Sequence, residues 1–95
     1  MNDLQSTHPL LFDFFAGYFP DADLDGLTDI QVTEQFITIN SNELVQQTFE
    51  SLTRIDDNAQ VLENIVIEAN RYFENTNEIQ KWVLSLIEVF KKKLS

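Results

Sequence analysis

The chain contains very few residues that interrupt a helix. It has only two glycines and two prolines in 95 residues, and Pro9 and Pro20 both lie near the N-terminus. A β-rich fold of this length needs many turns, and glycine and proline are the residues that form turns most readily. The long stretch after Pro20 therefore favours helix, and we expect an all-α fold.

Apolar residues recur along the chain at spacings of three and four, which is the period of one helical face. They outline five helices with no linker or repeat between them. A chain of 95 residues can bury a modest core. We therefore predict a single-domain bundle of about five helices that spans residues 1–95.

Capping residues and polar breaks place the helix boundaries. A first helix is predicted from His8 to Phe19, followed by a loop over residues 20–27. Thr28 and Gln31 have capping-box spacing and predict the start of the second helix. The later boundaries are predicted at Asn40, where the second helix fades, at Asn40 or Ser41 before the third helix, at Asp56 or Asp57 before the fourth, and over 74–77 before the fifth.

Each predicted helix has one apolar side that we expect to face the core. In the first helix this side is unusually wide and contains Leu11, Phe14, Phe15 and Tyr18. The core residues expected from the last three helices are Leu44, Val45, Phe49, Leu52, Ile55, Val61, Leu62, Ile65, Val66, Ala69, Tyr72, Phe73, Ile79, Trp82, Val83, Leu86, Ile87, Phe90 and Leu94. The fourth helix is therefore expected to continue as far as Phe73.

Acidic residues dominate the charge, and they are unevenly distributed. Sixteen Asp and Glu residues against six Lys and Arg residues give a formal net charge of −10. Residues 1–53 hold nine acids and no Lys or Arg, whereas residues 54–95 hold seven acids and all six bases. Such a field opposes binding to nucleic acid or an anionic membrane and favours a basic partner. Solubility alone is the simpler interpretation, and charge by itself identifies no partner.

The residues on which most enzymes depend are scarce. Cysteine is absent, His8 is the only histidine, and Gly17 and Gly26 stand apart rather than in a phosphate-binding loop. No His or Cys is placed to activate a serine, and no pair of them is available for zinc. We expect a protein that is not an enzyme and that needs no cofactor or metal.

The N-terminus has none of the features of a signal peptide. Met1, Asn2 and Asp3 carry no Lys or Arg ahead of an apolar run. No apolar stretch approaches the ~20 residues that span a bilayer. We expect a soluble, cytoplasmic protein.

One stretch matches the first half of an EF-hand calcium loop. Asp21, Asp23, Asp25, Gly26 and Asp29 fall on positions 1, 3, 5, 6 and 9 of such a loop. The second half fails, because position 12 falls on a valine where the motif needs a bidentate glutamate. We therefore expect no specific metal site, and a calcium-responsive module stays an alternative.

The stretch from Leu11 to Phe19 resembles a known family element. Its last six residues are similar to the Phe-Phe-x-Gly-Tyr-Phe element in the opening helix of immunity proteins from contact-dependent growth inhibition systems. The resemblance continues in outline over almost the whole chain. It includes Pro20 to Asp23, the pair Phe36-Ile37, Ser41 to Leu44, Lys81 to Leu84, and Lys93-Leu94.

Membership of this family would imply a helical protein that binds the C-terminal toxin domain of a large surface-displayed effector. The toxin, often a nuclease, is neutralised in the cytoplasm of the same strain. The resemblance therefore implies a complex with a basic toxin domain, which we expect at 1:1, and the acidic charge argues against binding to nucleic acid or membrane. A nuclease needs a basic cleft, and carboxylates can occupy that cleft in place of phosphates.

The acidic N-terminal half is the predicted interface with the partner. The predicted partner-binding residues are Asp21, Asp23, Asp25 and Asp29, with Glu34, Asp13 and Glu43 as supporting charges and Tyr18 as a hot-spot aromatic if its edge is exposed. Two other functions stay open. The protein could be a helical adaptor or regulatory subunit, or it could mimic nucleic acid and inhibit another basic protein.

Overall fold

Six α-helices form the computed structural model of the chain, which describes residues 4–55 and 58–94, with the backbone alone at positions 21 and 23–25. The helices are α1 (Leu4–Thr7), α2 (Pro9–Asp25), α3 (Asp29–Ile39), α4 (Asn42–Arg54), α5 (Ala59–Glu68) and α6 (Thr76–Leu94). No strand occurs in these ranges, so the all-α prediction is confirmed. The single-turn helix α1 is the one that the sequence did not predict.

The second helix is longer than the sequence predicted. We expected a helix end at Phe19 and a loop over 20–27, but α2 continues through Pro20 to Asp25. Proline supplies no amide proton to the carbonyl one turn earlier. The carbonyl left without this donor is that of Ala16, which is half-buried, and α2 still continues to Asp25.

A left-handed glycine ends α2. Gly26 has a φ of 71°, and the amide of Leu27 donates to the carbonyl of Ala22 over 3.0 Å. This six-to-one hydrogen bond is the signature of a Schellman motif. The backbone from 21 to 25 is therefore helical, whereas an EF hand needs a loop at those positions. The calcium-loop alternative does not fit this backbone.

The predicted caps of α3 and α4 are confirmed. The Thr28 hydroxyl accepts from the amide of Gln31 over 3.1 Å, and the Gln31 side chain accepts from the amide of Thr28 over 2.9 Å. Ser41 caps α4, since its hydroxyl accepts from the amide of Leu44 over 3.2 Å. These side chains satisfy amides that helix starts otherwise leave unpaired.

α5 starts and ends differently from the prediction. Its cap is Asn58, whereas the predicted caps Asp56 and Asp57 lie outside the described residues. The helix ends at Glu68 and not at Phe73. The prediction placed too many residues on α5 because the apolar spacing continues beyond its last turn.

A second Schellman motif explains the early end of α5. Asn70 takes a left-handed φ of 58°, its amide donates to Ile67, and the amide of Arg71 donates to Val66 over 3.0 Å. Asparagine is the residue after glycine that this conformation accepts most readily. The chain then leaves the helical path, so Tyr72 is 84% exposed and its predicted place in the core is wrong.

Phenylalanine rings fill the centre of the core. The ring of Phe14 lies within 5.6 Å, centroid to centroid, of the rings of Phe15, Phe19, Phe36 and Phe90. All five side chains are buried. Most core residues predicted from the last three helices are also buried: Val45, Leu52, Ile55, Val61, Leu62, Ile65, Val66, Ala69, Ile79, Val83, Leu86, Ile87 and Phe90.

Helix α2 occupies the centre of the bundle. It packs against α1, α3, α4 and α5, and its side chains also reach α6. α6 packs against α3, α4 and α5. The radius of gyration is 12.3 Å, close to the value of about 12 Å for a compact domain of this length. This arrangement places the start of α3 beside the connection between α5 and α6.

Candidate functional site

The aromatic element that carries the family resemblance builds the core. Phe14, Phe15 and Phe19 are fully buried, whereas Gly17 lies on the exposed side of α2. A Cβ atom added at Gly17 would meet no atom within 4 Å. Packing within the chain therefore accounts for these phenylalanines but not for the glycine, which weakens a helix interior.

Tyr18 lies half-buried where α2 meets the end of α3. Its hydroxyl oxygen accepts a hydrogen bond from Asn40 Nδ2 over 3.2 Å. Its ring meets the ring of Phe36 edge-on, with the centroids 5.2 Å apart. The ring of Tyr18 thus packs against the core, and its hydroxyl lies near the surface of the acidic half.

The four aspartates of the predicted interface do not share one location. Asp21, Asp23 and Asp25 belong to the last turns of α2, and Asp29 begins α3 beyond the turn at Gly26. Positions 21 and 25 lie about one turn apart on α2, and position 23 lies about 200° around the helix from position 21. The helical backbone therefore spreads these positions around α2 instead of gathering them in a loop.

The Asp29 side chain is held by hydrogen bonds within the fold. Arg71 Nη2 donates to Asp29 Oδ1 over 2.7 Å, and Trp82 Nε1 donates to Asp29 Oδ2 over 2.8 Å. The side chains of Arg71 and Asp29 are only 15% and 26% exposed. Both carboxylate oxygens therefore accept internal hydrogen bonds. We call Asp29, Arg71 and Trp82 the Asp29 network.

The Asp29 network holds the α5–α6 connection in place. Arg71 Nη1 donates to the carbonyl of Ala69 over 3.1 Å, and Nη2 donates to the carbonyl of Phe19 over 3.4 Å. The guanidinium carbon lies 5.8 Å from the centroid of the Phe19 ring. A planar guanidinium can serve several such acceptors at once. Arg71 thereby links the α5–α6 connection to both α2 and α3.

Trp82 was predicted to lie in the core, and it lies at the core's edge. Its ring packs 5.3 Å from the ring of Phe73 and 5.6 Å from that of Phe15, centroid to centroid. The residue is half-buried, and its indole N–H reaches Asp29. A tryptophan in such a place combines apolar packing with a satisfied polar donor.

Three acids of the N-terminal half are exposed on α2 and α4. Asp13, Glu43 and Glu50 form no ion pair with any residue that the structure describes. We call these three the N-terminal carboxylates. Glu34 differs, because it is half-buried and its carboxylate lies 3.9 Å from Lys93 Nζ. The two side chains are 46% and 44% exposed, and a pair so open to water contributes at most about 1 kcal/mol, so it leaves Glu34 accessible to a stronger cationic partner.

The outer side of α4 displays two of these carboxylates on a rigid support. Glu43, Gln46, Gln47 and Glu50 are exposed at spacings of three and four, which places them on one side of the helix. Glu43 and Glu50 are two turns apart, or about 10 Å along the helix axis. The opposite side of α4 is held in the bundle by the buried residues Val45, Thr48 and Leu52. Glu50 was not among the predicted interface residues.

A groove that the sequence did not predict lies between the end of α5 and the start of α6. Its volume is about 470 Å³, and its lining includes Glu63, Val66, Ile67, Tyr72, Glu74 and Ile79. We call it the α5–α6 groove. Ile67 and Tyr72 are 71% and 84% exposed. Asn70 was the available signal, since asparagine favours the left-handed conformation that ends a helix.

No protein-family model, curated protein or solved structure matches this chain. Within residues 4–55 and 58–94, no group of three or more His, Cys, Asp or Glu side chains is placed to hold a metal ion. None of the described helices combines the length and the apolar character needed to cross a bilayer.

Proposed function

We propose that this protein is an inhibitor that binds a basic protein domain through carboxylates on its N-terminal helices. The observation that carries the proposal is the segregation of charge, because residues 1–53 hold nine acids and no Lys or Arg. Asp13, Glu43 and Glu50 are exposed and lack an ion pair with described residues. A basic surface can approach these carboxylates without first displacing an internal cation.

The proposed target is the toxin domain of a contact-dependent growth inhibition system. Support for this target comes from the resemblance of the run from Phe14 to Phe19 to the opening helix of the corresponding immunity proteins. The protein would then act in the cytoplasm, in a 1:1 complex with the C-terminal domain of a surface-displayed effector. Its acidity suits a nuclease in particular, since a nuclease binds its phosphate-bearing substrate in a basic cleft.

Inhibition would follow from occupation of that cleft. Carboxylates held at fixed positions on helices can take the places of substrate phosphates, and the body of the bundle then excludes the nucleic acid. Glu43 and Glu50 are suited to this role, because α4 fixes the separation of their backbone positions. Opposite charge also raises the rate of encounter, which matters for an inhibitor that must act before the toxin does damage.

The genomic neighbour supplies the experiment. Where the adjacent upstream reading frame encodes a very long surface protein, its C-terminal domain is produced with a tag and together with this chain. We expect the two proteins to co-purify at a ratio of 1:1 and the degradation of nucleic acid by the tagged domain to fall as this chain is added. A tagged domain that is folded and active but neither binds this chain nor loses activity in its presence would contradict the proposal. Capture of a different basic protein would favour an adaptor.

A further inference from the structure

We propose that the α5–α6 groove is a docking site for an apolar side chain of the partner that is flanked by Lys or Arg. This inference rests on the proposed function, because it takes the partner to be a basic protein. It adds a contact site in the half of the chain where sequence reasoning predicted none. The shape, rigidity and charge of the groove each contribute to the argument.

The groove offers apolar surface that the fold itself does not cover. Val66 and Ile79 are buried at its base, at 8% and 5% exposure, while Ile67 and Tyr72 stand exposed beside them. Tyr72 forms no hydrogen bond or ring contact with a described residue. The groove has a volume of about 470 Å³ and is open to solvent, so a side chain of a partner can enter it. Burial of these side chains by a partner would remove apolar surface from water.

The backbone that presents Tyr72 is held from two sides. The Schellman hydrogen bonds at Asn70 and Arg71 fix the turn directly before it. The Arg71 side chain is in turn held by Asp29 over 2.7 Å. An aromatic side chain has only two side-chain torsions to fix on binding, and such residues commonly dominate binding energy. The backbone of the groove is therefore preorganised for a partner.

The charge around the groove selects the chemistry of the occupant. Glu63 and Glu74 line it and are exposed, and neither forms an ion pair with a described residue. The cation in the lining, Arg71, has its charge balanced by Asp29. The groove therefore combines an apolar base with a negative rim. A partner cation near the rim could also lie over the Tyr72 ring.

Other occupants fit this charge less well. Nucleic acid and anionic lipid carry phosphates, which Glu63 and Glu74 repel. A second copy of this chain carries a net charge of −10, which opposes self-association. A protein segment with an apolar residue beside Lys or Arg matches both the base and the rim.

A peptide titration tests the groove without the natural partner. The probes are Lys-Lys-Leu-Phe-Lys-Lys and Lys-Lys-Ser-Ser-Lys-Lys, both with blocked ends, added to the ¹⁵N-labelled full chain. We expect the first peptide to shift the amide resonances of Ile67, Tyr72 and Glu74 in a saturable manner. The serine peptide, which has the same charge, should leave those resonances nearly unchanged.

Three outcomes of that titration would overturn the inference. The first is equal shifts at the groove with both peptides, which would mean that only charge is recognised. The second is an absence of groove shifts with the Leu-Phe peptide. The third is a groove whose resonances move on dilution of the chain alone, which would mean that a second copy covers it.

Two variants test the groove in the complex. Ile67→Ser removes an apolar side chain that is 71% exposed in the groove, and Leu84→Ser removes one of the same size that is 42% exposed on α6, outside the groove lining. We expect Ile67→Ser to raise the Kd for the toxin domain about tenfold or more, as hot-spot truncations do. Leu84→Ser should raise it by less than about twofold, as a surface change away from the contact does.

The two proposals fail in different ways in this experiment. If the unaltered chain forms the complex and Ile67→Ser binds equally well, the groove inference is wrong and the proposed function stands. If the unaltered chain forms no complex, the proposed function is wrong, and the peptide titration still decides whether the groove binds basic apolar segments.

Discussion

The N-terminal carboxylates and the α5–α6 groove differ in the distance over which they can act on a partner. Asp13, Glu43 and Glu50 are exposed charges, whose attraction extends over roughly a Debye length, about 8 Å at physiological salt. Ile67 and Tyr72 offer apolar area, which contributes only on contact. The first region is therefore suited to speeding the encounter and the second to slowing release.

The difference shows how a small protein can control its association rate and its dissociation rate through separate surfaces. Charge complementarity mainly changes the association rate, whereas desolvated contacts mainly change the dissociation rate. The groove also meets the N-terminal half of the chain at one point in this fold. Asp29 is an acid of the N-terminal half, and its partner Arg71 directly precedes Tyr72 in the groove.

The largest expected effect comes from breaking that meeting point. Asp29→Ala leaves the Arg71 guanidinium and the Trp82 indole without their half-buried acceptor. We expect a loss of about 2 kcal/mol in the free energy of unfolding, measured by urea denaturation. Asp13→Ala removes an exposed carboxylate and should cost less than about 0.5 kcal/mol. Equal losses in the two variants would show that the Asp29 network does not support the fold.

The groove is expected to control dissociation from the partner. Tyr72→Ala should raise the dissociation rate of the toxin-domain complex about tenfold and leave the association rate unchanged. The folded state should be little affected, because Tyr72 is 84% exposed. Surface plasmon resonance gives both rates from one experiment. A change confined to the association rate would contradict the division between the two regions.

The carboxylates are expected to control association. The double variant Glu43→Gln/Glu50→Gln should lower the association rate about fivefold at low salt, and high salt should remove the difference. Glu68→Gln/Glu88→Gln is the matched control, since it changes the net charge equally with acids from the other half of the chain. If the control slows association as much, then total charge matters and its location on α4 does not.

The smallest expected effect concerns Gly17, on the exposed side of α2. Because an added Cβ meets no atom within 4 Å, Gly17→Ala should stabilise the protein by about 0.5–1 kcal/mol. Gly26→Ala should instead destabilise it, because Gly26 has a φ of 71°. Thermal unfolding measures both changes. Weaker toxin binding in a stabilised Gly17→Ala variant would extend the interface onto α2.

Much of the fold followed from local rules in the sequence. Apolar spacing identified the buried sides of α4, α5 and α6, and the capping pair Thr28 and Gln31 marked the start of α3 correctly. These features depend on neighbouring residues, so a single sequence contains them. The loop predicted over 20–27 was wrong for residues 20–25, because α2 continues through Pro20 to Asp25.

The sites depended more on contacts between distant residues. Asp29 was predicted as a partner-binding acid, but its carboxylate lies against Arg71 and Trp82, which are 42 and 53 residues away along the chain. Local spacing contains no sign of that pairing. Tyr72 fitted the apolar period of α5, and only the turn at Asn70 removed it from the helix. The apolar spacing therefore gave no sign of the groove, although Asn70 could have indicated where α5 ends.

Dependence of the association rate on ionic strength tests the central claim most directly. The unaltered chain and the proposed partner, a toxin domain, are mixed at NaCl concentrations from about 0.1 M to about 1 M, over which screening shortens the reach of exposed charges from about 10 Å to about 3 Å. We predict that the association rate falls about tenfold or more across this range while the dissociation rate changes little. An association rate that does not depend on salt would contradict recognition through the N-terminal carboxylates.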